Sequence, residues 1–124
     1  MERVEGIGGF FFFAEDPERL SRWYADQLGV TAPPQAYDAE VWTQQAGPTV
    51  FAPFSAESAE GSPVGSNGWG LNFRVRDLDA MVSQLRATGI DVEVDAEVYP
   101  IGRFAQLRDP EGNSVQLWEP QPDT

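Results

Sequence analysis

The stretch YPIGRFAQLRDPEGNSVQLWE, residues 99–119, carries the clearest structural pattern in this chain. It predicts two strands joined by a tight turn over residues 109–113. Within that turn Pro110 presets φ, Gly112 accepts a positive φ, and the side chains of Asp109 and Asn113 can bond nearby backbone groups. The stretch therefore predicts an antiparallel hairpin.

Two other stretches repeat each other at an offset of 61 residues. GFFFFAED, residues 9–16, and GLNFRVRD, residues 70–77, each run from a glycine to an aspartate. Each leads into a helical pattern that opens on the aspartate and closes on a glycine, at Gly29 and at Gly89. A repeat this long, present only twice, indicates a duplicated unit and not a solenoid.

The hairpin signature and the duplication together resemble the vicinal oxygen chelate superfamily, which includes glyoxalases, extradiol dioxygenases and bleomycin-resistance proteins. The resemblance implies an α+β fold of two βαβββ modules in a half-open mixed β-barrel, all within a single domain over residues 1–124. Module one would span residues 1–53 and module two residues 69–124, joined by a linker over residues 54–68. It also implies a homodimer, with modules paired within one chain or exchanged between two.

Three residue types are absent from the sequence: His, Cys and Lys. Their absence excludes Ser-His and Cys-His dyads, lysine Schiff bases, disulfides and metal sites of thiolate or imidazole. The net charge of −12 argues against nucleic acid as a partner. No apolar run reaches the roughly 18 residues of a membrane span, and no signal-peptide pattern is present. We therefore expect a cytoplasmic protein with no membrane partner.

Alternation along the predicted strands assigns side chains to the two faces of a sheet. The helix-facing set is Leu71, Phe73, Val75, Val115, Leu117, Phe10 and Phe12, and the set facing a concave side is Gly9, Phe11, Phe13, Phe51, Asn72, Arg74, Gln116 and Trp118. We expect Arg74 to pair with an acidic side chain of a neighbouring strand. Glu119 should lie in water at a strand end.

In the superfamily that the chain resembles, a metal, where present, is held by four side chains from the first and last strands of the modules. The resemblance places these positions at Gly9, Phe51, Gly70 and Gln116. Two glycines and a phenyl ring offer no donor, and one neutral amide cannot hold a divalent ion alone. We therefore predict no metal at this site and no cofactor.

The predicted binding site is an aromatic pocket in the concave face, lined by Phe11, Phe13, Trp42, Phe51, Trp69, Asn72, Arg74, Gln116 and Trp118. This composition suits a small aromatic or planar molecule oriented by a few hydrogen bonds. Aromatic rings in strands also serve as plain packing, so a concavity filled by its own side chains fits the sequence equally well.

Three functions are therefore compatible with the sequence. The first is a metal-independent protein that binds or sequesters a small aromatic molecule, as the bleomycin-resistance proteins do. The second is a glyoxalase-like enzyme with a carboxylate or tyrosine base, which requires a titrating group inside the pocket. The third is a structural or regulatory dimer whose cavity is filled.

Overall fold

A computed structural model of the chain describes residues 1–31, 41–57 and 62–122. Over these residues the elements run α1 (Pro17–Leu28), β1 (Leu71–Arg74), α2 (Leu78–Ala87), β2 (Glu93–Val94), β3 (Gly102–Arg108) and β4 (Ser114–Pro120). Neither of the two described helices has the length and apolar character needed to cross a membrane. From β1 onward the order is the β-α-β-β-β order of one predicted module.

The first helix begins and ends where the sequence predicts. The Asp16 side chain accepts a hydrogen bond from the backbone N–H of Arg19 at 3.2 Å, which satisfies one of the free donors of the first turn. Pro17 lies in that turn, where its missing N–H costs no hydrogen bond. Gly29 ends the helix in the left-handed region, with a φ of 73°.

The second helix follows the same plan. Asp77 caps it by accepting from the backbone N–H of Ala80 at 3.0 Å. The helix ends at Ala87, and Gly89 follows it with a φ of 86°. The two predicted helices are therefore confirmed together with the aspartate and glycine residues that bound them.

The four strands form one mixed sheet in the order β1-β4-β3-β2. β1 is parallel to β4, whereas β3 is antiparallel to both of its neighbours. The turn between β3 and β4 is closed by a hydrogen bond from the Gly112 N–H to the Asp109 carbonyl at 2.9 Å, and Gly112 has a φ of 82°. The predicted hairpin and its glycine are confirmed.

The core lies between the two helices and one face of the sheet. Its buried members are Leu20, Tyr24, Leu78, Val82, Leu85, Val92, Ala105, Leu107, Val115 and Leu117. Phe73 and Val75 pack against this cluster and are partly buried. The alternation predicted for β1 and β4 is therefore confirmed.

Among its described residues, the first half of the chain contributes a single helix to this architecture. Among residues 1–13 and 41–57, no segment forms a strand, although strands were predicted at residues 9–13 and 50–52. A strand is stabilised by hydrogen bonds to a neighbouring strand, and none of the described strands pairs with these segments. The α+β class and the open mixed sheet are confirmed, but the pairing partners of these two segments are not within the described fold.

Candidate functional site

The sheet face that is turned away from the core carries a row of polar side chains, one from each strand. Asn72 is in register with Gln116, Gln116 with Gln106, and Gln106 with Glu93. Residues in register project from the same face, so these four side chains lie side by side. The Asn72 Nδ2 donates to the Gln116 Oε1 at 2.7 Å. The structure thus brings together two of the predicted site residues and adds two more.

An aromatic row lies next to the polar row on the same face. Trp118 is in register with Phe104 on one side and with Arg74 on the other. The rings of Trp118 and Phe104 are nearly parallel, with centroids 6.2 Å apart, and Tyr99 meets Phe104 edge-on at 5.8 Å. The two rows together offer a flat aromatic surface beside amide donors and acceptors.

Trp118 is buried and hydrogen-bonded, unlike a side chain that lines an open pocket. Its indole N–H donates to the Ile101 carbonyl at 2.8 Å, and the residue is only 7 % exposed. A side chain at position 102 would collide with this indole and with the β4 backbone, so glycine is required there. At this end the concave face is filled by its own residues.

Three predicted pocket rings are not gathered at the site by a single chain. Phe11, Phe13 and Phe51 are 92 %, 104 % and 87 % exposed. Among the described residues, no ring contact joins any of them to Trp118. The predicted aromatic pocket is therefore not assembled within one copy of the chain, because the strands that would carry these rings into it have no neighbours.

Phe10 and Phe12 lie against Trp69, where the sequence predicted contact with the first helix. The ring centroids of Phe10 and Trp69 are 5.1 Å apart, and those of Phe12 and Trp69 are 4.9 Å apart. Trp69 comes directly before β1, so this cluster lies at the edge of the sheet. The prediction for the two rings was wrong, since it assumed a strand of module one beneath α1.

Trp42 and Arg74 also depart from their predicted surroundings. The Trp42 ring meets Phe73 edge-on at 6.3 Å, and Phe73 belongs to the helix-facing side of β1. The Arg74 guanidinium donates to the Gln45 carbonyl at 2.9 Å. Over the described chain Arg74 has no ion pair, because its register neighbour is an aromatic residue and not an acid.

The four metal-ligand positions of the superfamily do not fit a divalent ion here. Gly9 has no side chain, Phe51 is exposed, and the Gln116 amide is bound to Asn72. At Gly70 even a Cβ would collide with the carbonyl of Pro63. Within the described ranges, no three His, Cys, Asp or Glu side chains cluster in a way that could hold a metal. The absence of a metal remains a prediction from the donor set.

The turn between β3 and β4 contains a buried carboxylate. Asp109 is 4 % exposed and accepts from the backbone N–H groups of Glu111 and Asn113 at 2.9 and 3.0 Å. It also accepts from the Tyr24 hydroxyl at 2.7 Å. Burial raises the pKa of Tyr24 well above its usual range, and the bond to the Asp109 carboxylate raises it further. This pair ties α1 to the sheet and has no access to the concave face.

The same turn also holds the beginning of α1. The Glu111 carboxylate accepts from the backbone N–H groups of Glu15 and Asp16 at 2.7 and 3.1 Å. A groove of about 650 Å³ lies here, with Phe13 and Arg19 in its walls. Phe13 is the only predicted site residue that lines it, so this groove and the predicted pocket are different places.

Glu119 caps α2, where the sequence predicted a solvated carboxylate. Its Oε1 accepts from the backbone N–H of Leu78 at 2.9 Å. Nearby, Arg103 forms an ion pair with Asp79 at 3.0 Å, which holds the pKa of the Asp79 carboxyl below its usual range. The prediction of a carboxylate in water was wrong, because the sequence reasoning did not consider the start of α2 as a partner for Glu119.

Phe104, Gln106 and Glu93 are the members of the face that the sequence reasoning missed. The alternation Phe104-Ala105-Gln106-Leu107 in β3 carries the signal, since its apolar residues Ala105 and Leu107 face the core. Tyr99 lies beside the same face, and its hydrogen bond to Asp95 raises the pKa of Tyr99 to about 12. A tyrosine with a raised pKa is poorly suited to act as a base near neutral pH.

Comparison with known proteins identifies the fold. The sequence profile of a family described as "Glyoxalase-like domain" matches residues 9–118. TnmS3, an antibiotic binding protein from Streptomyces sp. CB03234, has a TM-score of 0.64 and 22% identity, over 98% of this chain and 100% of that one. A lactoylglutathione lyase from Agrobacterium tumefaciens has a TM-score of 0.58 and 24% identity, over 94% and 95%.

Identities at this level establish a shared fold and not a shared activity. A glyoxalase/bleomycin resistance protein from Streptomyces sp. CB03234 is 36% identical, but the match covers 40% of this chain and 43% of that protein, with a TM-score of 0.37. The chain thus spans less than half the length of that relative. No curated protein gives a significant match. Because the profile covers most of the sequence and the structural neighbours share the fold over nearly its full length, the chain belongs to the glyoxalase-like domain family of the vicinal oxygen chelate superfamily.

Proposed function

We propose that the protein binds a small, planar, largely aromatic molecule on the concave face of its sheet, the face turned away from the core, without a metal. The observation that carries this proposal is the pair of rows on that face. The Phe104 ring offers a flat apolar surface, and the amides of Gln116 and Gln106 offer donors and acceptors beside it. Ligand sites combine these two kinds of group, because apolar contact supplies affinity and a few polar groups supply orientation.

The antibiotic-binding neighbour supports this proposal, although its fold is shared at only 22% identity. Sequestration of an antibiotic in the cytoplasm is one form that such a binding function takes. The acidic chain, with a net charge of −12, favours a neutral or cationic ligand over an anionic one. Within these bounds, the ligand is defined by its shape and hydrogen-bonding edge.

A second copy of the chain completes the site in this proposal. Phe11, Phe13 and Phe51 are exposed in a single chain, although soluble proteins seldom expose large contiguous apolar surface. Pairing of residues 9–13 and 50–52 with strands of a partner would cover these rings and bring them to the concave face. We therefore expect a homodimer, whose mass is measured by size-exclusion chromatography with light scattering. A monomer at micromolar concentration would contradict the dimer.

The binding proposal is tested by thermal shift against aromatic metabolites, planar antibiotics and divalent metal chlorides. A ligand that binds only the folded state raises the melting temperature. At a concentration of 100 times its Kd, it adds about 2.7 kcal/mol to the free energy of unfolding. We expect a planar aromatic compound to raise the melting temperature and the metals to leave it unchanged. The shift should be lost in Gln116→Leu and kept in Gln84→Leu, a matched change on the exposed side of α2. A shift from a metal alone, abolished by Gln116→Leu, would overturn the proposal.

A structural dimer with a filled cavity is the second candidate. The observation in its favour is the burial of Trp118, which packs beside Phe104 and donates to the Ile101 carbonyl, at one end of the concave face. The two candidates are separated by the same panel. No shift from any aromatic compound, together with a stable dimer, favours the structural role.

A further inference from the structure

The segment Ser62–Gly65, which we call the strap, lies on the concave face of the sheet, the face turned away from the core. The Pro63 carbonyl accepts a hydrogen bond from the Ser114 hydroxyl at 3.1 Å. Ser114 has the same parity in β4 as Gln116, whereas Val115 between them is fully buried toward the helices. The strap therefore crosses the face that carries the polar and aromatic rows, at the end where β1 and β4 begin.

Two glycines allow the strap to lie this close. A Cβ at Gly70 would collide with the carbonyl of Pro63, which leaves no room for any side chain. A Cβ at Gly65 would lie 3.1 Å from the Cβ of Ser114 and 3.3 Å from the carbonyl oxygen of Trp69. These distances are shorter than ordinary van der Waals contact. Gly70 therefore leaves space for the strap above it, and Gly65 lets the strap backbone lie close to Ser114.

Further hydrogen bonds stabilise the strap and the loop that follows it. The Gly65 N–H donates to the Trp69 carbonyl at 2.8 Å, which closes a tight loop before β1. Within that loop the Asn67 Nδ2 donates to the Asn113 Oδ1 at 2.6 Å, in the turn between β3 and β4. At the other end the Ser62 hydroxyl accepts from the backbone N–H of Val64 at 3.0 Å. The strap is thus attached to Ser114 of β4 and to Trp69, which comes directly before β1.

We propose that the strap is the end wall of the ligand site and limits the size of the planar molecule that reaches Gln116. The inference rests on the proposed binding function, because it assigns the residues that set the length of that site. Position 70 would be a glycine because the strap backbone takes the space of a side chain. The Pro63 carbonyl would also explain why a metal-binding side chain does not fit at position 70.

The absence of cysteine from the sequence allows a direct test that needs no knowledge of the ligand. Gln116→Cys places a single thiol on the concave face, and Ser83→Cys places one on the exposed side of α2 as a control. Each thiol is reacted with N-methylmaleimide and with N-(1-pyrenyl)maleimide, which share a reactive group and differ in planar bulk. The measured quantity is the ratio of the pyrenyl rate to the methyl rate.

The ratio at position 116 should be lower than at position 83, because the strap hinders only the bulky reagent. Adding Ser114→Ala removes the bond to Pro63 and should raise the ratio at 116 by about three- to tenfold, the effect of losing one hydrogen bond. It should leave the ratio at 83 unchanged. Gly70→Ala displaces the strap directly and should raise the ratio at least as far.

Two results would overturn the inference. One is a ratio at 116 that neither Ser114→Ala nor Gly70→Ala changes. The other is an equal rise for both maleimides at 116, which reports general loosening and not a size limit. A changed ratio in a protein that no aromatic compound stabilises keeps the size limit and rejects the proposed function. If an aromatic compound binds but neither Ser114→Ala nor Gly70→Ala changes the ratio of maleimide rates at position 116, the proposed function stands and the size limit is rejected.

Discussion

The two halves of this chain share a sequence plan but differ in how they are packed. Residues 62–122 form a sheet with a helix on it, whereas residues 1–57 contribute a single helix among their described residues. Of the fourteen large hydrophobic side chains that are exposed in the described ranges, twelve lie in residues 1–54. Two stretches with the same alternation and the same helix caps therefore need not pack in the same way.

The difference has a local cause in the second half. The turn at residues 109–113 joins β3 directly to β4, so each of these strands has a partner close in sequence. The segment at residues 9–13 has no such neighbour, and its nearest partners would lie far along the chain or in another chain. Contacts distant in sequence carry a larger loop-closure cost than a hairpin does. The second half therefore forms the sheet from its own strands, whereas no described residue of the first half joins it.

The largest expected contrast between the halves is between Trp118 and Phe51. Trp118→Ala removes a buried ring and a hydrogen bond, so we expect a loss of about 3–5 kcal/mol in the free energy of unfolding. Phe51→Ala alters an exposed ring and should cost within about 0.5 kcal/mol in dilute, monomeric protein. Urea unfolding at several protein concentrations measures both. Equal losses at low concentration would remove the distinction between the halves.

The contact that joins the halves gives the next largest effect. Tyr24→Phe removes the hydrogen bond from α1 to the buried Asp109 carboxylate, and we expect a loss of about 1.5–3 kcal/mol. Tyr99→Phe is the matched control, because its hydroxyl donates to Asp95 at 2.9 Å at an exposed site. That change should cost within about 0.5 kcal/mol. If the two variants melt together, α1 is not held by this bond.

Glycine substitutions test the same comparison through the backbone. Gly112 has a φ of 82° and nothing close to its Cβ position, so Gly112→Val should cost about 1–2 kcal/mol from backbone strain alone. Gly8→Val in the first half meets no neighbouring atom and requires no positive φ, so it should be nearly neutral. Thermal unfolding of both variants measures the difference. A neutral Gly112→Val would show that the turn adopts another conformation in solution.

The smallest effect is a dependence of stability on alkaline pH. The pKa of Tyr24 is raised in the folded state, so below about pH 10 both states hold the proton and stability is unaffected. Above pH 10 the unfolded state releases the proton first, and the free energy of unfolding falls by at most about 1.4 kcal/mol per pH unit. Wild type should therefore approach Tyr24→Phe in stability between pH 10 and pH 11. A constant difference across this range would mean that Tyr24 titrates normally.

A variant with metal ligands installed at the four superfamily positions would be difficult to interpret. Histidine at positions 9 and 70 with glutamate at 51 and 116 would test the superfamily alignment, but Gly70 has no space for a side chain beneath Pro63. Failure of such a variant to bind metal would report displacement of the strap and not an error in the alignment. The ratio of maleimide rates is the more informative measurement at this corner.

Sequence reasoning succeeded where a structural feature depends on neighbouring residues. The caps at Asp16 and Asp77, the glycine at 112 and the alternation of β1 and β4 all follow from local chemistry, and all are confirmed. It placed Asn72 and Gln116 on one face, and they are hydrogen-bonded there. Its placement of Phe11, Phe13 and Phe51 in the pocket stays a prediction, because their positions depend on pairing between distant strands.

The fold family, the two helices with their ends, the hairpin and the lack of metal donors at the superfamily positions can all be predicted from the amino-acid sequence alone. Those properties depend on residue type, spacing and turn stereochemistry, which act over a few residues. The tertiary structure alone shows that Asp109 is buried against Tyr24, that Glu119 caps α2 and that Trp118 packs beside Phe104. It alone placed the Pro63 carbonyl over Gly70, since contact between segments distant along the chain depends on how the packed elements bring their surfaces together.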